Sequence, residues 1–564
     1  MDSQDSYWLL IDGYEDEPAA FGVPPYIGFH CRYIAGVFEK KNIPYKYMTI
    51  DQWRISKFHD FEKLAGLVIL AGAVVPGKYL RGTPISLNET ERIISSTPIS
   101  LPVLCGGWAI RGWRYQGWSP LRKNLFLARW DTDASLDYYL DNSQWKHIRR
   151  TAEQWDKWAK AGASSKAVTE HPDLDGPLTY EVEVYQGCVR FKNGCKFCLE
   201  PKKGVPLWRK PEEIISEVKT ALDNGVRNIR LGGMTDVYTY LAEGVKELEY
   251  PIPNPKPLEK LLYGLREDER VNILHVDNGN PSIIAENLEP STEITKMLVD
   301  TLSDGAILSF GLESVDPKVH SSNWLNCDPQ QAKIAIKLIN KYGKERGERG
   351  LPKLLPGLNF IAGLHGEVPE ITYDLNLKFL SQLKNEGLWL RRINIRQVEG
   401  EGFQETPTKE FNEFKSKVRN EFDGPLLEEM FPVGTILKDV WWESHDNRTR
   451  LPIHLTEKHL SSDIYGNAGI TFGRQIGAYP ILIGAEYHIP LETKSNVLVT
   501  GHGKRSITAI ETDLDINLAS QHQLAAIPGI GSKTAWKIIS AKAKRLSKNR
   551  EDKAFENLED AFSA

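Results

Sequence analysis

The chain has 564 residues and a formal net charge of −5, with 41% hydrophobic and 26% charged residues. That length exceeds one ordinary core, so about two to four domains are expected, and the charge balance excludes nucleic-acid binding spread over the whole surface. No apolar run approaches the roughly 20 residues needed to cross a bilayer, and the acidic start MDSQDSYWLLID lacks the basic segment of a signal peptide, which predicts a cytoplasmic protein with no membrane partner.

Short apolar runs at 7–11 (YWLLI), 67–71 (LVILA) and 101–105 (LPVLC) read as strands, and apolar residues recur at helical spacing in IGFHCRYIAGVFEKKN between the first two. Strand, helix and strand in succession predict a doubly wound parallel sheet over residues 1–145. A Trp-rich amphipathic stretch then predicts a helical linker over 146–178. From Thr179 to about residue 400 the pattern restarts as TYEVEVY, NIRLGG, ILHVDN, AILSFGLES, LNFIAG and RINIRQ, separated by helical segments. The fold class is therefore α/β, with a central partial (β/α)6 barrel over 179–400, whose chemistry belongs at the C-terminal strand ends. Residues 401–460, mixed and acidic, read as an extension of that barrel. Gly, β-branched residues and alternation over 461–512 predict a small β-barrel, and 513–564 reads as helix, Gly-rich turn and helix.

Three of the six cysteines lie in YQGCVRFKNGCKFCLEP, directly after a strand: Cys188, Cys195 and Cys198. Such clustering in a large chain points to metal or redox chemistry over disulfides. A 4Fe-4S cube takes four ligands, so three thiolates leave one iron open to chelate the amino and carboxylate groups of S-adenosylmethionine (SAM). A structural zinc is the alternative; it would need a fourth Cys or His, and the nearest preceding histidine is His171.

These residues resemble the radical SAM superfamily, with six residues instead of the usual three in the first gap. The resemblance implies a 5′-deoxyadenosyl radical formed by one-electron cleavage of SAM, and an electron donor such as ferredoxin or flavodoxin. It further implies that Phe197 packs near the adenine, that the backbone of Gly232 and Gly233 receives the methionine amino group, that Glu313 and Ser314 contact the methionine or ribose, and that the backbone near Ile361 meets adenine. The acid that normally follows the paired glycines is replaced by Met234, with Asp236 two positions on.

The first domain resembles the cobalamin-binding-like domain that precedes many radical SAM barrels, which makes cobalamin a candidate cofactor. The Asp-x-His-x-x-Gly loop of such domains is missing, and His30, inside a predicted helix, reads as a core or surface residue. LAAIPGIGSKTAWKII resembles a helix-hairpin-helix motif, which implies phosphate binding without base specificity at Gly529, Gly531, Lys533 and Lys537. Lys542, Lys544, Arg545, Lys548 and Arg550 continue the basic run. The segment before it, with Lys504 and Arg505 in a turn, is similar to RNA-binding barrels appended to radical SAM methylthiotransferases, and an OB-like barrel would read the same way.

The expected function is a radical SAM enzyme that modifies a nucleic acid, with tRNA preferred because a single-stranded loop splays a base at low cost. Too few N-terminal cysteines for a second cluster disfavour a methylthiotransferase, and Cys327 as the last cysteine disfavours a two-cysteine radical methylase. Cobalamin-assisted methylation or another C–H functionalisation remains. The rivals are a radical SAM enzyme of a peptide, lipid or cofactor, and a non-catalytic nucleic-acid-binding protein with a structural cluster.

Overall fold

The computed structural model describes residues 6–15, 26–56, 58, 60–71, 82–111, 122, 124–398, 403, 406–445, 464–549, 554–556 and 560–561. Arg550 and residues 446–463 of the expected C-terminal elements lie outside this set.

The N-terminal strands are β1 (Tyr7–Asp12), β2 (Tyr26–Ile27), β3 (Tyr45–Thr49), β4 (Leu64–Leu70), β5 (Val103–Gly106) and β6 (Leu125–Leu127). Five of them form a parallel sheet in the order β3-β1-β4-β5-β6. β1 is buried along its whole length, as expected of a strand covered on both faces. The strand order reverses between β1 and β4, where doubly wound sheets form their ligand crevice. Asp12, Tyr14, His30 and Leu70 line a crevice there of about 10 Å³, room for one water. The segments following β1, β4 and β5, residues 16–25, 72–81 and 112–121, are outside the described set.

β2 departs from the expected boundary. It pairs in parallel with β7 (Thr179–Glu183), the first strand of the central barrel. The helix Phe29–Lys41 that follows β2 crosses the linker helix Ala152–Gly162 in backbone contact: a Cβ on Gly36 would stand 2.2 Å from the Trp158 carbonyl, and one on Gly162 2.2 Å from that of Arg32. From that crossing Arg32, fully buried, pairs with Glu217 at 2.5 Å and donates to the Tyr180 hydroxyl and the Glu181 carbonyl. Arg209 reaches the other oxygen of Glu217 at 2.5 Å. Burial opposes ionisation of Glu217, yet the two guanidinium groups hold its carboxyl below the usual range. The first domain and the barrel therefore share one hydrophobic core and one buried ionic network.

The barrel continues with β8 (Asn228–Gly232), β9 (Ile273–Val276), β10 (Asn278–Gly279), β11 (Ala306–Glu313), β12 (Leu354–Ala362) and β13 (Arg392–Gln397). Two parallel sheets, β9-β8-β7-β2 and β10-β11-β12-β13, meet where β9 runs on into β10 through Asp277. All six expected strand segments are present. Their interior is polar: Arg230 pairs with Asp277 at 2.6 Å, and Asn394 donates to Asn359 at 2.8 Å.

The C-terminal barrel starts earlier than expected. Residues 408–430 are helical, and β14 (Ile436–Ser444) then joins β15 (Ala468–Gln475), β16 (Leu482–Tyr487), β17 (Lys494–His502) and β18 (Ser506–Glu511) in a closed barrel, β14-β15-β16-β18-β17. The segment 401–460 is thus not an extension of the central barrel alone. The alternation of this strand is broken near its start, where Lys438 and Asp439 are both exposed at a register shift between Leu437 and Val440. Only β16 and β18 pair in parallel, which makes this a five-stranded Greek-key barrel of OB type. Its β15–β16 loop plugs into the central barrel: the Ala478 amide donates to His275 Nδ1 at 3.0 Å and the Tyr479 hydroxyl donates to Asp277. Among the described residues no helix is long and apolar enough to cross a membrane.

Candidate active site

The cysteine loop leaves β7 at its C-terminal end, where barrel chemistry was expected. A short antiparallel pair, Tyr185–Gln186 with Leu207–Trp208, closes the neck of the loop. Gly187, at φ +90°, makes the turn out of that neck with backbone of Gly204 and Pro206 against it. Cys188, Cys195 and Cys198 line one cavity of about 230 Å³ together with Phe197, Asp236, Asn280, Glu313, Ile361 and Arg396.

Burial pushes the Cys188 thiol up to about 12 and Cys195 up to about 11, and raises Cys198 well above the usual thiol range. Metal coordination reverses that preference, because a ligating thiol is deprotonated outright. Arg190 supplies part of the balancing charge. Its amide donates to Cys188 Sγ at 3.4 Å and its guanidinium to Cys195 Sγ at 3.4 Å, while the Trp324 carbonyl holds the same guanidinium nitrogen at 2.9 Å. The three thiols line the cavity with no histidine or fourth cysteine among its lining residues, a donor set that suits a cube with one open iron better than a four-coordinate structural zinc.

Besides Glu200, which pairs with Lys203 at 2.8 Å, two carboxyl groups face the same cavity. Asp236 Oδ1 accepts the amides of Tyr238 at 3.0 Å and Asn280 at 2.9 Å, whereas Oδ2 is buried with no partner among the described residues. Burial pushes Asp236 up to about 7. Glu313 sits at φ +64°, after a register shift between Gly311 and Glu313 at the end of β11. That irregularity turns its carboxyl inward, and burial, opposed by Arg396, pushes it up to about 8. Glu313 Oε2 also lacks a partner among the described residues. Unsatisfied buried oxygens beside the thiols fit a ligand rich in donors, such as the ammonium and hydroxyl groups of SAM.

The radical SAM superfamily profile matches residues 182–374, which contain the cysteine loop, both carboxyl groups and Ile361. The chain belongs to the radical SAM superfamily. It is 35% identical over 525 residues to an uncharacterised protein of Methanocaldococcus jannaschii, covering 89% of this chain and 92% of the relative. A second uncharacterised protein, from Archaeoglobus fulgidus, is 35% identical over 542 residues, covering 92% and 93%. Among solved structures, TsrM from Kitasatospora setae, a radical SAM methyltransferase, aligns at 13% identity and a TM-score of 0.44 over 67% of this chain and 71% of its own. OxsB, a cobalamin-dependent SAM radical enzyme, aligns at 13% identity and a TM-score of 0.48 over 76% and 56%. Membership in the superfamily implies a 4Fe-4S cluster and SAM as cofactors.

The expected site residues divide into two groups. Phe197, Glu313 and Ile361 line the cavity with the cysteines, and Phe197 and Ile361 pack against the Val319, Leu325 and Leu364 cluster. Gly232, Gly233 and Ser314 are not among the lining residues. A Cβ on Gly232 would meet Glu181 Oε1 at 2.2 Å, and one on Gly233, at φ +64°, would meet Glu183 Cγ at 2.7 Å. These glycines admit the carboxylates of β7 at the strand crossover. Ser314 Oγ accepts the Asp316 amide at 3.2 Å, a local turn contact. Sequence reasoning missed Arg190, Asn278 and Asn280; the basic residue inside a cysteine loop was the available signal for the first.

In the tail, the helices Gln521–Ala526 and Ser532–Asn549 flank the expected hairpin. Gly529, at φ +85°, and Gly531 are exposed, and a Cβ on either would meet nothing within 4 Å. Lys533 and Lys537 are exposed beside them, as is Trp536 at 60%. Ile530, Ala535 and Ile538 face inward onto Leu524 and Phe555. Two members of the basic run are engaged within the tail: Lys542 donates to the Asn517 carbonyl at 3.0 Å, and Arg545 pairs with Asp560 at 2.8 Å.

Proposed function

We propose that the chain is a radical SAM enzyme that functionalises a C–H bond of a nucleic acid, with a tRNA nucleoside as the substrate. The hairpin carries this reading. Its glycines leave the turn open at the start of an 18-residue helix, where unpaired amides and the positive dipole end favour a phosphate. Lys533 and Lys537 add cations, and exposed Trp536 offers a stacking face. The OB-type barrel next to it supports the same reading, since such barrels commonly bind single strands.

A 4Fe-4S cluster and SAM bound here, with an electron from a ferredoxin or flavodoxin, would supply 5′-deoxyadenosyl radical chemistry. This chain's residues would hold and orient: Cys188, Cys195 and Cys198 would ligate the iron, Arg190 would offset its charge, Phe197 and Ile361 would pack the adenine, and Asp236 and Glu313 would accept hydrogen bonds from the polar groups of SAM. Cys31 and Cys105 are buried in the first domain, and Cys327 is buried beside the cavity wall with its Sγ donating to the Gly311 carbonyl. Cobalamin-assisted methylation is the subclass in keeping with the first domain. A cytoplasmic location goes with a tRNA substrate.

Nucleosides from a deletion strain, analysed by mass spectrometry, should lack one modified species that the wild-type gene restores. Removing residues 513–564 should weaken RNA binding across sequences and lower its salt dependence. SAM cleavage without substrate should persist in that truncation. Equal RNA affinity of full-length and truncated protein at two salt concentrations would shift the substrate to a peptide, lipid or cofactor.

A further inference from the structure

A second cavity, of about 320 Å³, lies at the start of β13 against the small barrel, lined by Arg391, Arg392, Asp423, Tyr479, Lys504 and Arg505 among others. It is at the opposite end of β13 from Arg396, which lines the cysteine cavity. Four residues of strand separate Arg392 from Arg396, about 13 Å at ~3.3 Å per residue. Arg391 and Arg392 come from the central barrel, whereas Lys504 and Arg505 form the turn between β17 and β18.

The charges there do not balance. Asp423 already accepts from Arg419 and stands 4.0 Å from Arg505. Arg392 spends its Nε on Asn394 at 2.7 Å and lies over the Tyr479 ring at 4.4 Å, and among the described residues the Arg391 guanidinium donates to the Tyr479 carbonyl, at 3.4 Å. Lys504 has no ion pair among the described residues. Four cations thus line the cavity with one carboxylate, Asp423, which Arg419 also occupies; Asp277, outside the lining, adds an attraction on Arg392. Burial, with Arg392 and Arg505 nearby, pushes Arg391 down to about 9, and burial holds Arg392 at about 10. Both stay charged at neutral pH, so deprotonation does not relieve the repulsion.

A tetrahedral oxyanion would relieve it. Guanidinium forks match phosphate oxygens in pairs, and cations approaching from two sides suit a group with several acceptors better than a single carboxylate. We propose that this cavity binds a phosphate group, gripped by Arg391 and Arg392 on one side and by Lys504 and Arg505 on the other. The phosphate is either a diester of an RNA strand or a free phosphate ester. The proposal stands independently of the hairpin, because no residue of the cavity falls within 513–564.

The test uses full-length protein, its Lys504→Ala/Arg505→Ala double variant in the exposed turn, and Arg392→Gln as a second variant that keeps bulk. Two probes separate the sources: inorganic phosphate, and a single-stranded oligoribonucleotide without terminal phosphates. Phosphate at 10 mM (about that order) should raise the parent's melting temperature above a chloride control of equal ionic strength, and each variant should lose most of that rise. For a diester, the double variant should also bind the oligonucleotide about 10-fold more weakly, with a log–log salt slope shallower by roughly 0.7 to 1.4. Phosphate stabilisation with unchanged oligonucleotide affinity assigns the site to a free phosphate ester. Weakened oligonucleotide binding without phosphate stabilisation assigns it to the diester. Neither effect in the parent or the variants overturns the proposal.

Discussion

At one end of β13, Arg396 reaches a cavity where three thiols and two carboxyl groups are buried together; at the other, Arg392 lines a cavity where cations outnumber their counter-ions. The first collects groups that burial drives toward neutrality, which suits a site whose charge is supplied by a metal cluster. The second collects groups that stay charged at neutral pH, which suits a site whose charge is completed by an anion. One strand therefore separates two electrostatic environments of opposite demand. Asp277 joins them: it precedes Asn278 of the cysteine cavity and binds Arg230 at 2.6 Å and the Tyr479 hydroxyl of the cationic one.

The largest effect sharpens the contrast. Cys198→Ala should prevent retention of the cluster, read as loss of most of the bound iron after anaerobic reconstitution, while phosphate stabilisation at the other end of β13 stays at the parent's level. Loss of both together would mean that the cavities are not separate sites.

Breaking the partition comes next. Asp277 is fully buried and its neighbour Arg230 nearly so. Asp277→Ala leaves that guanidinium without its closest counter-ion, and the expected cost is ~3–5 kcal/mol of global stability in denaturant unfolding. A loss under about 1 kcal/mol would show that Glu181, 3.8 Å from Arg230, suffices alone.

A smaller effect is set by pH. Burial, with Arg349 nearby, pushes His275 down to about 3, and its neutral ring accepts the Ala478 amide that docks the small barrel. The unfolded chain takes up this proton near pH 6.5 and the folded chain only near pH 3, so the stability present above pH 6.5 is lost progressively as pH falls through that window. At pH 5 the loss is ~2 kcal/mol. His275→Gln should flatten this part of the pH profile; an unchanged profile would remove His275 as its cause.

The smallest effect concerns Arg190. Arg190→Gln should leave iron content nearly unchanged and lower the reduction potential of the cluster, because a cation and a hydrogen bond to Cys195 are lost. A potentiometric titration followed by electron paramagnetic resonance checks the direction.

Legibility in the sequence follows the same contrast. The cysteine cavity was readable because its ligands are contiguous in one loop and its other walls fall at the ends of successive apolar strands, as Glu313 and Ile361 do. Gly232 and Gly233 also leave room for the side chains of Glu181 and Glu183, a tertiary requirement that a Gly-Gly pair does not reveal. Half of the cationic cavity is legible as Lys504 and Arg505 in a turn; Arg391 and Arg392 come from the central barrel and join them only in the folded chain. The start of the small barrel is hidden for a related reason: a register shift at Lys438 and Asp439 breaks the alternation of β14, which lies far from β15 in sequence. The basic run in the tail does not reveal that Lys542 and Arg545 have partners within the tail, the Asn517 carbonyl and Asp560.

The central claim is that Cys188, Cys195 and Cys198 hold a cluster that cleaves SAM. Anaerobically reconstituted full-length protein, reduced with dithionite and given SAM, should release 5′-deoxyadenosine, and the triple Cys→Ala variant should release none. Equal 5′-deoxyadenosine formation by the triple variant would contradict the account.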